Sequence, residues 1–136
     1  MKLNKIKSVF MLTAVLAMCA ILFGCSKVDV RDDYVGSYRT DAVWVENGQE
    51  QKATYTLTIV KSSTNENDII LNNINGWNES VRATVSGNAM TIPQQTIQQI
   101  GISGSGTLNG NVLNFSVMFT ETGGTPVNAI QTAIKQ

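Results

Sequence analysis

Few side chains in this sequence are suited to catalysis. The 136 residues include no histidine, so the usual general base and the commonest metal ligand are missing. The lysines after Gly24 have no Ser-x-x-Lys pattern around them, which argues against a serine nucleophile with a lysine base. Two of the ten carboxylates could still meet in space as a glycosidase pair. We expect no enzymatic activity and no catalytic residue, with that carboxylate pair as the open alternative.

Two short motifs resemble ligand loops only in part. The run 65–68, Asn-Glu-Asn-Asp, offers oxygen ligands but lacks the glycine and the closing glutamate of a calcium loop. The run 104–106, Gly-Ser-Gly, lacks the third glycine of a dinucleotide fingerprint and leads into a strand pattern. Small residues there favour strand bending or close approach of two strands. We therefore expect no metal and no cofactor.

Aromatic side chains are the remaining candidates for ligand contact. Trp44 falls near the end of the first predicted strand, and Trp77 follows a turn signal, so both are expected at the rim of a sheet or barrel. An exposed tryptophan can stack on a sugar or anchor a protein partner. We take Trp44, Trp77 and Tyr38 as candidate ligand-binding residues. The alternative is that the tryptophans plug one end of the core.

Cys25 is the one side chain with a specific chemical context. Basic residues within 1–7 precede an apolar run, 9–23, which is shorter than the roughly 20 residues of a membrane span. The run ends in Leu22-Phe-Gly-Cys25, which resembles the lipobox of bacterial lipoproteins. That resemblance implies a signal peptide, 1–24, that is cleaved, and lipidation of Cys25. A permanent N-terminal anchor helix is the alternative.

The segment after the cysteine indicates where the protein would reside. We expect 25–33 to be a lipidated N-terminus and tether, attached to the outer membrane on its periplasmic or cell-surface side. The run 27–33 has acidic character and is similar to the surface-export signals of lipoproteins from the Bacteroides group. A solvated tether without signal content is the alternative interpretation.

The elements that would position these residues are β-strands. Residues 53–59 and 113–119 alternate apolar and polar side chains, which is typical of strands with one buried face. Asn-Gly and Gly-Asn pairs between such runs favour antiparallel hairpins. The pattern predicts one domain, 34–136, with about eight strands: 34–46, 51–61, 69–74, 80–86, 89–93, 101–108, 111–120 and 125–134. The stretch 93–100 is predicted as a loop or short helical crossing, and the last segment could equally be a helical stripe.

Antiparallel strands with short turns must protect their edges, and closure into a barrel does this. Gly36-Ser-Tyr38 resembles, with tyrosine for tryptophan, the Gly-x-Trp that opens lipocalins. The order of 83–88, 92–95 and 103–108 is similar to small lipocalin-like (calycin-like) lipoproteins of Bacteroides-type bacteria. No counterpart is found for the arginine that packs over the opening tryptophan in lipocalins. The resemblance implies an all-β, antiparallel up-and-down meander forming a small barrel or a half-barrel that closes by self-association.

The charge and composition of the chain limit the classes of partner that it could bind. The chain after Gly24 has seven basic and ten acidic side chains, a net charge of −3, which disfavours binding to nucleic acid. We expect a cell-envelope lipoprotein that binds a small apolar or sugar-like ligand. The alternative is a protein-binding module, such as an accessory of a surface complex or an inhibitor of an exported enzyme. A homo-oligomer is possible on either interpretation.

Overall fold

The computed structural model describes residues 26–136. Each strand pairs antiparallel with its sequence neighbours, and the last strand pairs with the first, so the sheet is a closed meander barrel. This confirms the all-β prediction of about eight strands and shows a closed barrel without the need for a second copy. The elements are α1 (Arg31–Tyr34), β1 (Gly36–Glu46), β2 (Gln49–Lys61), β3 (Asp68–Asn72), a 3₁₀ turn (Ile74–Gly76), β4 (Ser80–Ser86), β5 (Ala89–Ile97), β6 (Ile100–Asn109), β7 (Val112–Glu121) and β8 (Val127–Lys135).

The barrel interior is the hydrophobic core. Leu57 and Ile59 on β2 and Leu113 and Val117 on β7 are fully buried, while their polar neighbours in sequence face solvent. The period-two alternation therefore placed the correct residues inside. Eight strands make a barrel whose interior is either just filled by side chains or wide enough to hold one small ligand.

The stretch 93–100 is not a loop or a helical crossing, as the sequence had indicated. Strand β5 continues through Pro93 to Ile97, and the pairing with β6 shifts register between Ile92 and Gln95. A proline has no N–H to donate to the ladder, and strands accommodate it at such irregularities. Gln98 and Gln99 then form a two-residue hairpin turn, both with left-handed φ values of 49° and 71°. The prediction failed because this turn has no glycine or asparagine.

The last segment is a strand and not a helix. Ala129, Gln131 and Ala133 on β8 face the interior, whereas Ile130 and Ile134 are exposed. The apolar residues that suggested a helical stripe thus lie on both faces of a strand. Because β8 pairs with both β7 and β1, it closes the barrel.

Helix α1 covers one end of the barrel, which we call the closed end. Tyr34 is fully buried, and its hydroxyl donates to the carbonyl of Gly87 at 3.2 Å. Arg31 donates to the carbonyls of Ser62 (3.2 Å) and Asn65 (3.0 Å), both in the β2–β3 connection. The segment expected as a tether therefore packs against the barrel from about Asp29 onward, where the Asp29 carboxylate accepts from Arg31 Nη2 at 2.8 Å.

Tyr38 belongs to this closed end. Its side chain is fully buried, and its hydroxyl donates to the backbone oxygen of Tyr34 at 2.7 Å. Lys135 Nζ lies 5.8 Å from the centroid of the Tyr38 ring and donates to the carbonyl of Asp33 at 3.1 Å. Lys135 on β8 therefore places a cation within the range of a cation–π interaction with the Tyr38 ring.

Two glycines let β6 approach β7 closely. A Cβ atom at Gly106 would lie 2.7 Å from the carbonyl oxygen of Asn114 and closer still to the Phe115 side chain. A Cβ atom at Gly104 would overlap the carbonyl oxygen of Ser116. The run Gly104-Ser-Gly106 is therefore a packing feature, as the sequence indicated, and the space that it frees is occupied by β7.

Candidate functional site

The end of the barrel opposite α1 holds a cavity of about 640 Å³, which we call the cup. Three aromatic side chains line it: Trp44 from β1, Trp77 from the β3–β4 connection and Phe119 from β7. The β7–β8 connection, 122–126, forms another part of the wall through Gly124 and the following residues. The cup is therefore built from strand ends and two longer connections, which the rigid barrel holds in place.

The β3–β4 connection, 73–79, folds over the barrel end because its backbone repeatedly turns left-handed. Asn73, Asn75, Gly76 and Asn78 all have φ between 53° and 74°. Asparagine and glycine tolerate this region far better than other residues, so the asparagine-rich sequence permits the fold. Gly76 lies against the ring of Tyr55, where its missing side chain allows the connection to pack down onto β2.

Trp77 is held by Phe119 yet remains accessible. The two ring centroids are 4.5 Å apart, and the ring planes are tilted by 57°. Trp77 is 43% exposed, whereas Phe119 is 7% exposed. Tilted aromatic pairs of this kind are mutually attractive. The pair therefore fixes one indole at the mouth while leaving part of its surface free for contact.

Beneath the aromatic wall lie polar groups that lack partners. Asn75 lines the cup, and Gln131 and Thr40 lie deeper inside the barrel, on β8 and β1. All three are buried, and Asn75 Oδ1, Gln131 Nε2 and Thr40 Oγ1 have no hydrogen-bond partner among the described residues. The other end of the Gln131 amide accepts from the Tyr55 hydroxyl. Buried polar groups are normally hydrogen-bonded, and leaving one unpaired costs about 1–3 kcal/mol.

Burial also affects the tyrosine in this polar group. Loss of solvation raises the pKa of Tyr55 to about 12, and a backbone hydrogen bond from Asn75 opposes that shift. The hydroxyl therefore stays protonated at neutral pH and remains a donor toward Gln131. That bond fixes the amide so that its nitrogen is the unpaired end.

Acidic side chains predominate around the cup. Glu46 and Glu121 line it, and no lysine or arginine does. Among residues 26–136, the strand ends and connections on this side also carry Glu50 and Glu79, against Lys52 alone. The Lys52 ammonium binds the Glu50 carboxylate at 2.9 Å. Elsewhere in the described chain, six acidic side chains balance six basic ones, so the net charge of −3 arises at the cup.

The structure brings two of the predicted site residues together. Trp44 and Trp77 both line the cup, at the rim where the sequence placed them. Tyr38 does not line the cup. It lies six residues before Trp44 on β1, at the closed end of the barrel. Cys25, with the predicted signal peptide, lies outside the described residues. Phe119 belongs to the core, as the alternation of 113–119 predicted, and it also lines the cup. Sequence reasoning missed Asn75, which it treated only as part of a turn.

Within residues 26–136, no three side chains among histidine, cysteine, aspartate and glutamate gather in a way that could hold a metal ion. No helix in the same range is long and apolar enough to cross a membrane.

Comparison with known proteins adds the fold alone. No family model and no curated protein matches the chain. Among solved structures, the barrel is similar to the crystal structure of a protein of unknown function from the DUF3598 family of Nostoc punctiforme, with a TM-score of 0.54 and 13% sequence identity. The match covers 77% of this chain and 48% of the Nostoc chain, so this chain spans about half the length of that neighbour. At this identity the likeness supports a shared fold and no shared activity.

Proposed function

We propose that this protein binds a small molecule in the cup and does not catalyse a reaction on it. The observation that carries the proposal is the Asn75 Oδ1 atom, which is buried, has no partner among the described residues and belongs to a residue that lines the cup. A ligand hydrogen bond would remove the cost of that unpaired acceptor. Gln131 Nε2 and Thr40 Oγ1 are two further unpaired polar atoms inside the barrel, on residues that do not line the cup.

The size and walls of the cup suit a compact ligand. Small-molecule sites commonly have volumes of about 300–1,000 Å³ and combine apolar walls with a few placed polar groups. The volume of about 640 Å³ lies within that range. Trp44 and Trp77 line the cup and can stack on an apolar or sugar-like ring, and the Asn75 amide, which also lines it, can supply a hydrogen bond. We therefore assign the ligand an apolar or sugar-like face together with polar groups.

A cup-filling variant tests this proposal. Ala129 lines the cup from β8, and Ala129→Phe would place a ring inside it, whereas Ile130→Phe places the same ring on the outer face of the same strand. The probe is the apolar fluorophore N-phenyl-1-naphthylamine, with Trp44 and Trp77 as energy donors. We expect sensitised probe emission with the wild type and with Ile130→Phe, and loss of it with Ala129→Phe. Equal emission from both variants would contradict binding in the cup.

We also propose that the protein is a lipocalin-like lipoprotein of the cell envelope, anchored to the outer membrane through Cys25. The support is the motif Leu22-Phe-Gly-Cys25 after an apolar run. Metabolic labelling with a radioactive fatty acid tests the anchor. We expect the label on the wild type and on a Cys19→Ser control but not on Cys25→Ser, and label retained by Cys25→Ser would refute the assignment.

A second candidate function is self-association through the outer face of β7, β8 and β1. Ile130 is 63% exposed and lies directly opposite Val43, with the exposed Met118 on the adjacent strand. Strands β7 and β8 carry only Glu121 and Lys135 as charged residues, and the exposed Arg39 and Asp41 side chains of β1 lie 3.8 Å apart, so two copies of this face meet with little like-charge repulsion. Native mass spectrometry tests it: we expect a dimer that Ile130→Lys dissociates. A wild-type monomer at micromolar concentration would exclude this function.

A further inference from the structure

We infer that the ligand of the cup carries a positive charge, as a protonated primary or secondary amine attached to an apolar body. The inference rests on the proposed function, because it names the class of molecule that the cup would bind. Three separate features of the cup support it: the aromatic rings, the carboxylates and the buried acceptor Asn75 Oδ1.

The aromatic rings supply the first argument. Trp44, Trp77 and Phe119 converge on one cavity, and a ring face attracts a cation within about 6 Å of its centroid. Tryptophan gives the strongest attraction of this kind, and both tryptophans of the chain are here. The contribution grows when the cation is partly desolvated, as it would be between these rings.

The carboxylates supply the second argument. Glu46 and Glu121 line the cup without a basic residue among its lining, and neither is in an ion pair within residues 26–136. Both are exposed, so salt weakens each interaction. They act together with Glu79 and Glu50 at the same end of the barrel, where Lys52 is the one opposing charge. An anionic ligand would meet repulsion from this end, and a cation would be drawn toward it.

The buried amide supplies the third argument. Asn75 Oδ1 can only accept a hydrogen bond, and no donor among the described residues reaches it. A primary or secondary ammonium has N–H groups to donate, whereas a quaternary ammonium has none. The combination of rings, carboxylates and an unpaired acceptor therefore favours an amine that still carries hydrogen.

A matched set of probes separates charge from shape. Phenethylammonium, phenethyl alcohol, phenethyltrimethylammonium and 3-phenylpropanoate are titrated into the full chain in nonionic detergent, with tryptophan fluorescence as the readout. We expect phenethylammonium to bind at least about tenfold more tightly than the alcohol, a preference of about 1.4 kcal/mol. The quaternary analogue should bind less tightly than the primary amine, and the carboxylate should bind least.

Variants of the cup residues then test which side chains cause the preference for the amine. Glu46→Gln together with Glu121→Gln should reduce the preference for amine over alcohol at least about threefold, measured as the ratio of the two dissociation constants within that variant. Glu66→Gln removes an exposed carboxylate at the closed end and should change neither. Asn75→Gly removes the acceptor and tolerates the left-handed φ of 53° at this position, so it should remove the advantage of the primary over the quaternary amine.

The outcomes distinguish this inference from the proposed function. Binding of the alcohol or the carboxylate as tightly as the amine would overturn the inference and leave the cup as a binding site. Binding of no probe to the wild type would also overturn it, while sensitised naphthylamine emission would still support the proposed function. A preference for the amine that survives the double glutamine variant would show that the carboxylates do not act as argued.

Discussion

The indole of Trp77 packs against the phenyl ring of Phe119 with centroids 4.5 Å apart and planes tilted by 57°. Trp77 is reached through the left-handed turns of the 73–79 connection, whereas Phe119 is fixed by pairing of β7 with β6 and β8. A connection between strands and a strand of the barrel wall thus meet at the cup. The contact makes the position of Trp77 depend on a residue of the barrel wall.

Replacing Phe119 should free Trp77. In Phe119→Leu we expect the loss of the aromatic pair, worth about 0.5–1.5 kcal/mol, together with lower fluorescence anisotropy and a red-shifted emission. Denaturant unfolding and tryptophan anisotropy measure the two effects. Phe115→Leu is the control, since Phe115 is buried on the same strand and makes no aromatic pair with a tryptophan in the described chain. Unchanged anisotropy in Phe119→Leu would contradict the contact.

The three tyrosines should resist ionisation. Burial raises the pKa of Tyr34 to about 12, of Tyr55 to about 12, and of Tyr38 above its usual value. A spectrophotometric titration of the folded chain should therefore show no tyrosine ionising near pH 10. The tyrosines of the unfolded chain ionise near pH 10, before those of the folded chain. The free energy of unfolding therefore keeps the full contribution of the neutral tyrosines below about pH 10 and falls as the pH rises toward 12. A one-residue absorbance step near pH 10 in the folded state would contradict this.

The stability of the fold should decrease in acid because the Asp29 carboxylate at the closed end becomes protonated. Arg31 and Lys61 both bind its carboxylate, at 2.8 Å and 3.0 Å, and hold the pKa of Asp29 well below its usual range. A lowered folded pKa gives stability that is present above the unfolded pKa of about 3.9 and is lost as the pH falls. We expect Asp29→Asn to lower the Tm at pH 7, and the curves for variant and wild type to converge toward pH 2.

Asp33→Asn serves as the control for that measurement. The Asp33 carboxylate makes no hydrogen bond or ion pair within residues 26–136, although its backbone oxygen accepts from Lys135. The Tm of Asp33→Asn should equal that of the wild type at every pH of the series. A parallel pair of pH curves for Asp29→Asn and wild type would show that the carboxylate contributes nothing through its charge.

Gly106→Ala should destabilise the barrel wall. The added methyl group would meet the carbonyl oxygen of Asn114 and the Phe115 side chain, and overpacking of this kind costs typically about 1–3 kcal/mol. Gly101→Ala on the same strand is the matched comparison, since its methyl group would meet the flexible end of Gln94 at 3.0 Å and atoms of Thr120 at ordinary contact distances of 3.5 Å and 3.8 Å. Urea unfolding should show the larger loss for Gly106→Ala, and equal losses would contradict the close approach.

The barrel could be predicted from the sequence further than the cup could. Alternation on β7 marked Leu113 and Val117 as core because a strand shows its two faces in the local pattern. The Gln98–Gln99 turn escaped detection because its left-handed residues are neither asparagine nor glycine. Asn75 gave no signal as a site residue, because its burial depends on how a whole connection folds over the barrel.

The cup also depends on relationships that act across the chain. Glu46 and Glu121 are 75 positions apart and meet at one mouth only because β1 and β7 both end there. Gln131 lies beneath the cup because it faces Ala42 across the β1–β8 seam, and that register is set by closure of the barrel. Local patterns do not encode strand register between distant segments, so a sequence could supply the rim tryptophans but not their neighbours.

The two ends of the described chain leave from the closed end. The segment 26–30 precedes α1 there, and the backbone N–H of Gln136 donates to the carbonyl of Ser37 at 2.9 Å. Attachment of this domain by either terminus, to a bead, a sensor surface or a fused reporter, would therefore leave the mouth of the cup facing the medium. The distance from attachment point to mouth is on the order of 25 Å, given the rise per residue and tilt of barrel strands. A solute would reach the tryptophans from bulk water, on the side away from whatever holds the chain.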